Sequence, residues 1–356
     1  MCKSVFRNWT KNLFFWVVLI LLAGANIYSI SHQAGQRNEE ISGHEAVYSE
    51  FKGTLTRDKI LTVVKRYRQL KKIVQSQNYN HEGGRPGTYT GYYAGDYGEF
   101  QQLYDEYKYR YEYASYAKKI IGKKAATNRV KEVFAERKLT DYYDMEGPQA
   151  LIEYDFYTLL CVIFVVFCSC KMICYDRKQN IYILLETCSL GMRKVMGRKI
   201  LTLAMFSFLT IVFFTGMNFI LFNVFYDMQG VTQPLYAISS YKTTMFQGSV
   251  LQYWLCQNLG AWTACVLIGI VSMFFATVIK EELYAMLFSM LVYLGCIAMF
   301  FKIQCQLNPV GLLAGTNLIK NRDLYGQTFV SVLVVTVISS FILIWVSGFY
   351  RVSNHS

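Results

Sequence analysis

The chain alternates between long uncharged, apolar stretches and polar segments. Six stretches carry no Asp, Glu, Lys or Arg, at 12–31, 156–170, 200–226, 243–279, 283–301 and 324–350. A helix needs about 20 apolar residues to cross the roughly 30 Å hydrocarbon core of a bilayer, and lipid offers no partner for unpaired backbone groups. The pattern therefore predicts an all-α membrane protein with six transmembrane helices, at about 12–31, 156–175, 200–226, 251–279, 283–301 and 324–350.

The polar region between the first two predicted helices, residues 32–155, is long enough to form a domain. Apolar residues recur at helical spacing through 48–77, whereas the Gly-rich stretch 78–98 predicts a loop. Residues 99–139 predict one or two helices with a break at Gly122. Because no strand alternation is present, we expect a mainly helical extracytoplasmic domain.

The remaining organisation follows from these helices. Between the fifth and sixth helices, 302–323 is expected to be outside the membrane or re-entrant, because Asn308-Pro309 and Gly311 would break a helix. The predicted divisions are 1–31 (cytoplasmic head and first helix), 32–155 (external domain), 156–175 (second helix), 176–199 (cytoplasmic segment) and 200–356 (third to sixth helices and a short tail).

The basic excess of the chain is unevenly distributed. There are 36 Lys and Arg against 24 Asp and Glu, yet 32–155 is nearly neutral, with 20 basic and 18 acidic residues. Twelve of the other sixteen basic residues fall on one side of a six-helix topology. Since cytoplasmic loops are enriched in Lys and Arg, we expect a plasma-membrane protein with both termini in the cytoplasm and 32–155 outside. The charge thus reflects topology, and no nucleic-acid partner is predicted.

The polar chemistry of the chain argues against an enzyme. The predicted helices contain no Ser/His/Asp set, no paired carboxylates and no metal-ligand spacing, and the chain has no Gly-rich phosphate loop with Lys and Ser/Thr. None of the ten cysteines lies in 32–155, which argues against a disulfide framework. We therefore expect no catalytic residue, metal site or cofactor on this chain.

Segment 176–199 carries the most specific pattern outside the predicted helices. Ile181, Leu184, Leu185 and Cys188 recur at i, i+3, i+4 and i+7 and form one apolar face of a short helix, which Gly191 is placed to end. Such a helix either lies on the membrane surface or docks in a groove of a partner. The spacing leaves both interpretations open.

Segment 176–199 resembles the coupling region of ABC-2 type exporter permeases. That region has an acidic residue, paired aliphatics, a small polar residue, then Gly-Arg and a Lys that opens the next helix. Here Asp176 stands where Glu is usual and Asn180 where Gly is usual. The stretches 48–59 and 307–326 are similar to permeases of Gram-positive bacteria. The matching positions are Asp176, Leu184, Leu185, Thr187, Ser189, Gly191, Arg193 and Lys199.

The resemblance implies a complex in which two permease subunits work with two ABC ATPase subunits on separate chains. The second permease is another copy or a paralogue, and ATP and Mg bind to the ATPase. The short helix would dock in a groove of the ATPase and pass its closure to the membrane helices. The residues expected to couple the chain to the ATPase are Asp176, Arg177, Ile181, Leu184, Leu185, Glu186, Gly191 and Arg193.

Four amide side chains within the predicted helices are candidates for a substrate pathway: Asn218, Asn223, Gln257 and Asn258. Amides at membrane depth either line a route for an amphipathic substrate or form hydrogen bonds between helices. The sequence leaves both roles open for each of them.

Three tyrosines of the external domain, Tyr104, Tyr107 and Tyr111, fall on one face of a predicted helix. Tyrosine suits recognition because it presents a rigid apolar plate with one polar tip. Ordinary packing of the helix explains the same spacing, so external recognition at these positions is a hypothesis.

The sequence favours the permease subunit of an exporter for an amphipathic compound, such as an antimicrobial peptide, a lipid or a drug. The alternative is a membrane sensor or scaffold whose external domain binds a ligand and whose cytoplasmic segment signals to a partner. The partner discriminates between them, since an exporter needs a separate P-loop ATPase and a sensor does not.

Overall fold

The computed structural model describes residues 13–38, 44–79, 91–113, 115, 117–119, 128–178, 191–279, 281–303, 308–321 and 324–353. Most of these residues are helical. In chain order the helices are α1 (Leu13–Asn38), α2 (His44–Phe51), α3 (Arg57–Tyr79), α4 (Gly91–Tyr111), α5 (Asn128–Ala135), α6 (Glu146–Glu153), α7 (Phe156–Lys178), α8 (Gly191–Phe225), α9 (Val250–Val278), α10 (Glu282–Ile303), α11 (Val310–Leu313), α12 (Gly315–Asn321) and α13 (Tyr325–Ser353).

Six helical segments of the described chain are long and apolar enough to cross a membrane. The predicted all-α class with six such helices is confirmed, and these helices indicate a multi-pass membrane protein. The second segment is longer than predicted, because α6 precedes α7 with a break at only Tyr154 and Asp155. The six segments are Leu13–Gly35, Glu146–Arg177, Arg193–Phe225, Val250–Val278, Glu282–Lys302 and Tyr325–Ser347.

The chain divides into two compact units. The span unit comprises Met1–Ser31, Gln149–Val224 and Val250–Ser356. The polar unit comprises His32–Pro148 and Phe225–Ser249. The segment that follows the third span therefore folds with the region between the first two spans, an association that the sequence interpretation did not anticipate.

Helix α9 is the central element of the span unit and packs against α7, α10 and α13. Buried glycines let its neighbours approach closely. At Gly269, an added Cβ would lie 2.8 and 2.9 Å from the two terminal methyl groups of Leu203 in α8 and 3.1 Å from the Ser169 hydroxyl in α7. Three helices therefore meet at a position where only glycine fits without displacing a neighbour.

The segment between α10 and α13 folds back among the spans. Helix α11 packs against α9, α10 and α13, and its Val310, Leu312 and Leu313 are buried. Asn308 fixes the preceding turn, because its Oδ1 accepts a hydrogen bond from the Val310 backbone N–H at 3.0 Å and its Nδ2 donates to the Cys296 carbonyl at 2.5 Å. Helix α11 is therefore packed within the span unit, and the outside or re-entrant position of 302–323 stays a prediction.

The core of the polar unit is largely aromatic. Tyr107 of α4 is buried, its hydroxyl donates to the Phe51 carbonyl at 2.5 Å, and its ring centroid lies 4.7 Å from that of Tyr142. Burial raises the pKa of Tyr107 to about 12, so it remains a neutral donor at physiological pH. The buried core residues are Tyr48, Phe51, Val63, Phe100, Leu103, Tyr107 and Tyr142.

Local structure in the polar unit departs from the sequence interpretation in three places. A minimal antiparallel pair, β1 (Gly53–Thr54) and β2 (Asp141–Tyr142), interrupts the helix predicted over 48–77. The loop predicted at 78–98 is wrong from Gly91 onward, where α4 begins. The cost of about 1 kcal/mol per helical glycine is offset by the packing of α4 on α3. The predicted break at Gly122 lies outside the described residues.

The segment Phe225–Ser249 contains three short 3₁₀ turns and packs on the helices of the polar unit. The ring of Tyr236 stacks on Tyr113 with centroids 5.4 Å apart. The guanidinium of the buried Arg137 lies 4.0 Å from the Phe134 ring centroid and 4.9 Å from that of Tyr236, and it donates to the Thr244 carbonyl. These contacts with both aromatic faces stabilise a buried cation through cation–π attraction.

We expect Gly269→Val to lower the stability of the chain by about 1–3 kcal/mol, because the branched side chain overfills the contact with Leu203 and Ser169. The matched control is Gly216→Val in α8, where an added Cβ meets nothing within 4 Å. Thermal unfolding of the full chain in mild detergent should show a lower Tm for Gly269→Val only. Equal melting temperatures for the two variants would contradict this packing.

Candidate functional site

A buried ion pair joins the C-terminal end of α7 to the first third of α8. The Asp176 carboxylate lies 2.6 Å from the Lys199 ammonium, and the two side chains are only 7% and 9% exposed. The ammonium also donates to the Met172 carbonyl, 3.1 Å away and one turn earlier in α7. One lysine thus binds two successive turns of the preceding helix.

Arg177 extends this attachment to the central helix. Its guanidinium donates to the carbonyls of Thr277 at 2.9 Å and Ile279 at 3.2 Å. These carbonyls lie at the C-terminal end of α9, where the last four carbonyls of a helix have no partner within it. A cation is favourable there because it also complements the helix dipole. Adjacent residues of α7 therefore hold α8 and α9.

The ion pair fixes the position of α7 relative to α8 more than it adds to the stability of the fold. Burying two charges costs about as much as their attraction returns, whereas removing one partner costs about 3–5 kcal/mol because the other charge stays buried and unpaired. The ends of α7 and α8 therefore cannot separate easily at this point. The pair therefore joins the helical residues at the two ends of segment 176–199.

Helical structure extends into both ends of segment 176–199. Helix α7 continues to Lys178, eight residues beyond the uncharged stretch, and α8 begins at Gly191, nine residues before the next one. Gly191, which was expected to end a short helix, therefore begins a long one. The helices can extend this far because the buried Asp176 and Lys199 neutralise each other. The length of the uncharged stretches alone does not predict the extension.

The other predicted coupling residues are placed as follows. Arg177 is half-buried in the contact with α9, and Arg193 is exposed on α8. The predicted docking face and its acidic neighbour lie outside the described residues, so its helix remains a prediction. These residues are Ile181, Leu184, Leu185 and Glu186.

The first of the pathway candidates, Asn218, lies in a buried network of three helical segments. Its Oδ1 accepts a hydrogen bond at 2.6 Å from Nδ2 of Asn26 in α1. The Tyr154 hydroxyl, between α6 and α7, donates to Asn26 Oδ1 at 2.9 Å. All three side chains are buried, so this amide holds helices together.

Gln257 and Asn258 of α9 also make contacts between helical segments. Gln257 Nε2 donates to the Ile152 carbonyl at 3.3 Å, and Asn258 Oδ1 accepts from the Tyr157 hydroxyl at 2.8 Å. Asn223 differs, since it is exposed on the surface of α8. Three of the four candidate amides thus join helices, and Asn223 remains available for contact outside the chain.

The three candidate tyrosines of α4 have different environments. Tyr107 is buried in the core, and the ring of Tyr104 stacks on Tyr67 of α3 with centroids 4.3 Å apart and planes 5° from parallel. Tyr111 is 65% exposed. The shared helix face therefore serves mainly to pack α4, and one of its tyrosines is open to a ligand.

The sequence interpretation missed Asn26 and Tyr154 and named Lys199 only as part of a motif. An amide deep in an uncharged stretch, as Asn26 is, could have indicated an interhelical partner. The partner itself depends on which helices pack together, and this cannot be read from a single sequence. Within the described residues, no group of three or more His, Cys, Asp or Glu side chains could hold a metal ion.

No family model, curated protein or solved structure matches the chain. A functional hypothesis for it therefore depends on its own residues and on the arrangement of its helices.

Single replacements within the ion pair should destabilise the chain more than the double replacement. Asp176→Asn and Lys199→Met each leave one buried charge unpaired, at an expected cost of about 3–5 kcal/mol. The double variant removes both charges and should unfold at a higher temperature than either single variant. Lys194→Met, at an exposed position of α8, is the control and should behave like the wild type. Additive losses in Tm would contradict a coupled buried pair.

Proposed function

We propose that this chain is the membrane permease subunit of an ATP-driven exporter, similar to the ABC-2 type, that moves an amphipathic compound. ATP is hydrolysed on a separate ABC ATPase subunit, and segment 176–199 transmits the movement of that subunit to the spans. A second permease, either another copy or a paralogue, completes the complex.

The observation that carries the proposal is the buried pair between Asp176 and Lys199. A segment that transmits force must be attached to the elements it moves through packed or hydrogen-bonded contacts. The pair attaches both ends of 177–198 to α7 and α8, and Arg177 reaches the end of α9. A push on the segment would therefore reach three spans at once, including the central one.

The charge distribution supports a cytoplasmic position for segment 176–199. Arg193, Lys194, Arg198 and Lys199 precede the third uncharged stretch, and Arg177 and Lys178 follow the second. Basic residues that flank spans favour the cytoplasmic side. The same orientation puts both termini in the cytoplasm and residues 32–155 outside.

The uncharged stretches favour a pathway without an ionisable side chain at membrane depth, since the buried Asp176 and Lys199 pair lies near the ends of its two spans. Ion-coupled and proton-coupled transporters use ionisable side chains at membrane depth, and the six stretches contain no Asp, Glu, Lys or Arg. Energy from a separate ATPase fits this composition. The exposed Asn223 is the candidate amide that we assign to the substrate or to the second permease.

The competing function is a membrane sensor or scaffold whose polar unit binds a ligand. One candidate place for a ligand in this alternative is the tyrosine face of α4. Tyr104 and Tyr107 are engaged in packing, which leaves the exposed Tyr111 and weakens the case for a binding face there. The permease proposal does not depend on that face.

Photocrosslinking at Leu184 tests whether segment 176–199 docks on an ATPase. A benzophenone amino acid replaces Leu184 in the full chain, and native membranes are irradiated before purification and mass spectrometry. We expect a covalent adduct with a protein that contains a P-loop, because the aliphatic face would sit in that protein's groove.

Leu201 is the matched control position, since it is an exposed leucine of α8 beyond the ion pair. The same probe there should label lipid and no ATPase. If the probe at Leu184 labels only lipid, the segment lies on the membrane surface and the coupling role is wrong.

A further inference from the structure

Helix α3 of the polar unit carries a strong local excess of positive charge. From Lys59 to its end, the helix has six basic residues and no acidic residue. The region 32–155 as a whole is nearly neutral, with 20 basic and 18 acidic residues. Helix α3 is thus one of two strongly basic parts of this region, since residues 118–131 also contain six basic residues and no acidic residue.

Part of this charge forms a narrow line on the helix surface. Leu61, Lys65, Arg68 and Lys72 follow one another at spacings of four, three and four residues, which places them on one face. We call these four residues the basic stripe. All four are exposed, and Leu61 is 56% exposed. Val63, two residues further on, is fully buried on the opposite side.

The charges of the basic stripe have no partner in the part of the chain that the structure describes. Arg66, which lies off the stripe, forms an ion pair with Glu50 at 2.8 Å. Lys65, Arg68 and Lys72 form none. A helix face that only meets water usually mixes both signs of charge. This face carries three cations against one acid, Asp58 in the first turn of α3, and its net positive charge with an exposed leucine suits an anionic interface.

We propose that the basic stripe binds the anionic headgroups of the bilayer in which the spans sit. Charge complementarity calls for an anionic partner, and Leu61 suits the boundary between headgroups and acyl chains. The bilayer is favoured over a soluble acidic protein because the chain's own apolar helices tether the polar unit to it. Tethering raises the effective concentration of the lipid surface, so a weak attraction suffices.

The attraction expected is modest and sensitive to salt. A Lys or Arg near an anionic membrane surface contributes roughly 1 kcal/mol, and the effect decays within a Debye length. Three such residues would hold a tethered helix at the surface without anchoring it permanently. This inference does not depend on the proposed exporter function.

Lysine footprinting on the full chain tests the contact. The chain is reconstituted in nanodiscs of phosphatidylcholine alone or with about 30% phosphatidylglycerol, and acetylation rates are measured by mass spectrometry. We expect the rates at Lys65 and Lys72 to fall about threefold or more in the anionic nanodiscs, and to recover at about 1 M NaCl. The exposed Lys108 and Lys138, each with acidic residues close by in the sequence, are controls and should change little.

Arg68→Glu provides the matched variant. It reverses one charge at an exposed position of the stripe, so the fold should be unaffected, and the protection of Lys65 and Lys72 should be lost. Equal rates in both nanodiscs would overturn the proposal, as would protection that does not require phosphatidylglycerol. Protection seen only in native membranes, together with a crosslinked protein, would assign the stripe to an acidic protein instead.

Discussion

The buried pair between Asp176 and Lys199 is the constraint on which the arrangement of the spans depends at this end. Two opposite charges removed from water cannot part without leaving each other unpaired, at a cost of about 3–5 kcal/mol for either. The Asp176 carboxylate and the Lys199 ammonium, 2.6 Å apart, therefore hold α7 and α8 together. Arg177 joins α7 to the end of α9 through two carbonyl groups. Segment 176–199 has this pair at its two ends and is attached through it and Arg177 to three helices, and this attachment motivates the coupling role proposed for the segment.

The neutral polar groups of the span unit, like its charges, need partners when they are buried. Buried amides and hydroxyls need partners where water is absent. Asn218 accepts a hydrogen bond from Asn26, and Asn258 accepts one from Tyr157. Two residues that were candidates for a substrate pathway therefore join helices instead. In the polar unit, the buried guanidinium of Arg137 donates to the Thr244 carbonyl and lies over the rings of Phe134 and Tyr236. In both units, the polar side chains that seemed available for function in the sequence are mostly used to hold the fold together.

The six membrane-spanning helices could be predicted because the length of an uncharged, apolar stretch can be read from that stretch alone. Their ends could not, since α7 and α8 continue into charged sequence that is acceptable only when Asp176 and Lys199 meet. The glycines of 91–98 predicted a loop, yet α4 begins at Gly91 because its packing on α3 outweighs local propensity. The association of 225–249 with 32–148 depends on contacts such as that of Tyr236 with Tyr113, which link distant parts of the sequence. Pairings of this kind are not encoded in local spacing.

The central claim is that a separate ATPase drives this chain. The most direct measurement is to extract the tagged full chain from its native membrane in several mild detergents and identify the proteins that co-purify by mass spectrometry. The exporter proposal predicts a protein with a Walker A loop in near-stoichiometric amount. Its absence in every detergent, with the chain itself intact and monodisperse, would contradict the proposal and favour a sensor or scaffold.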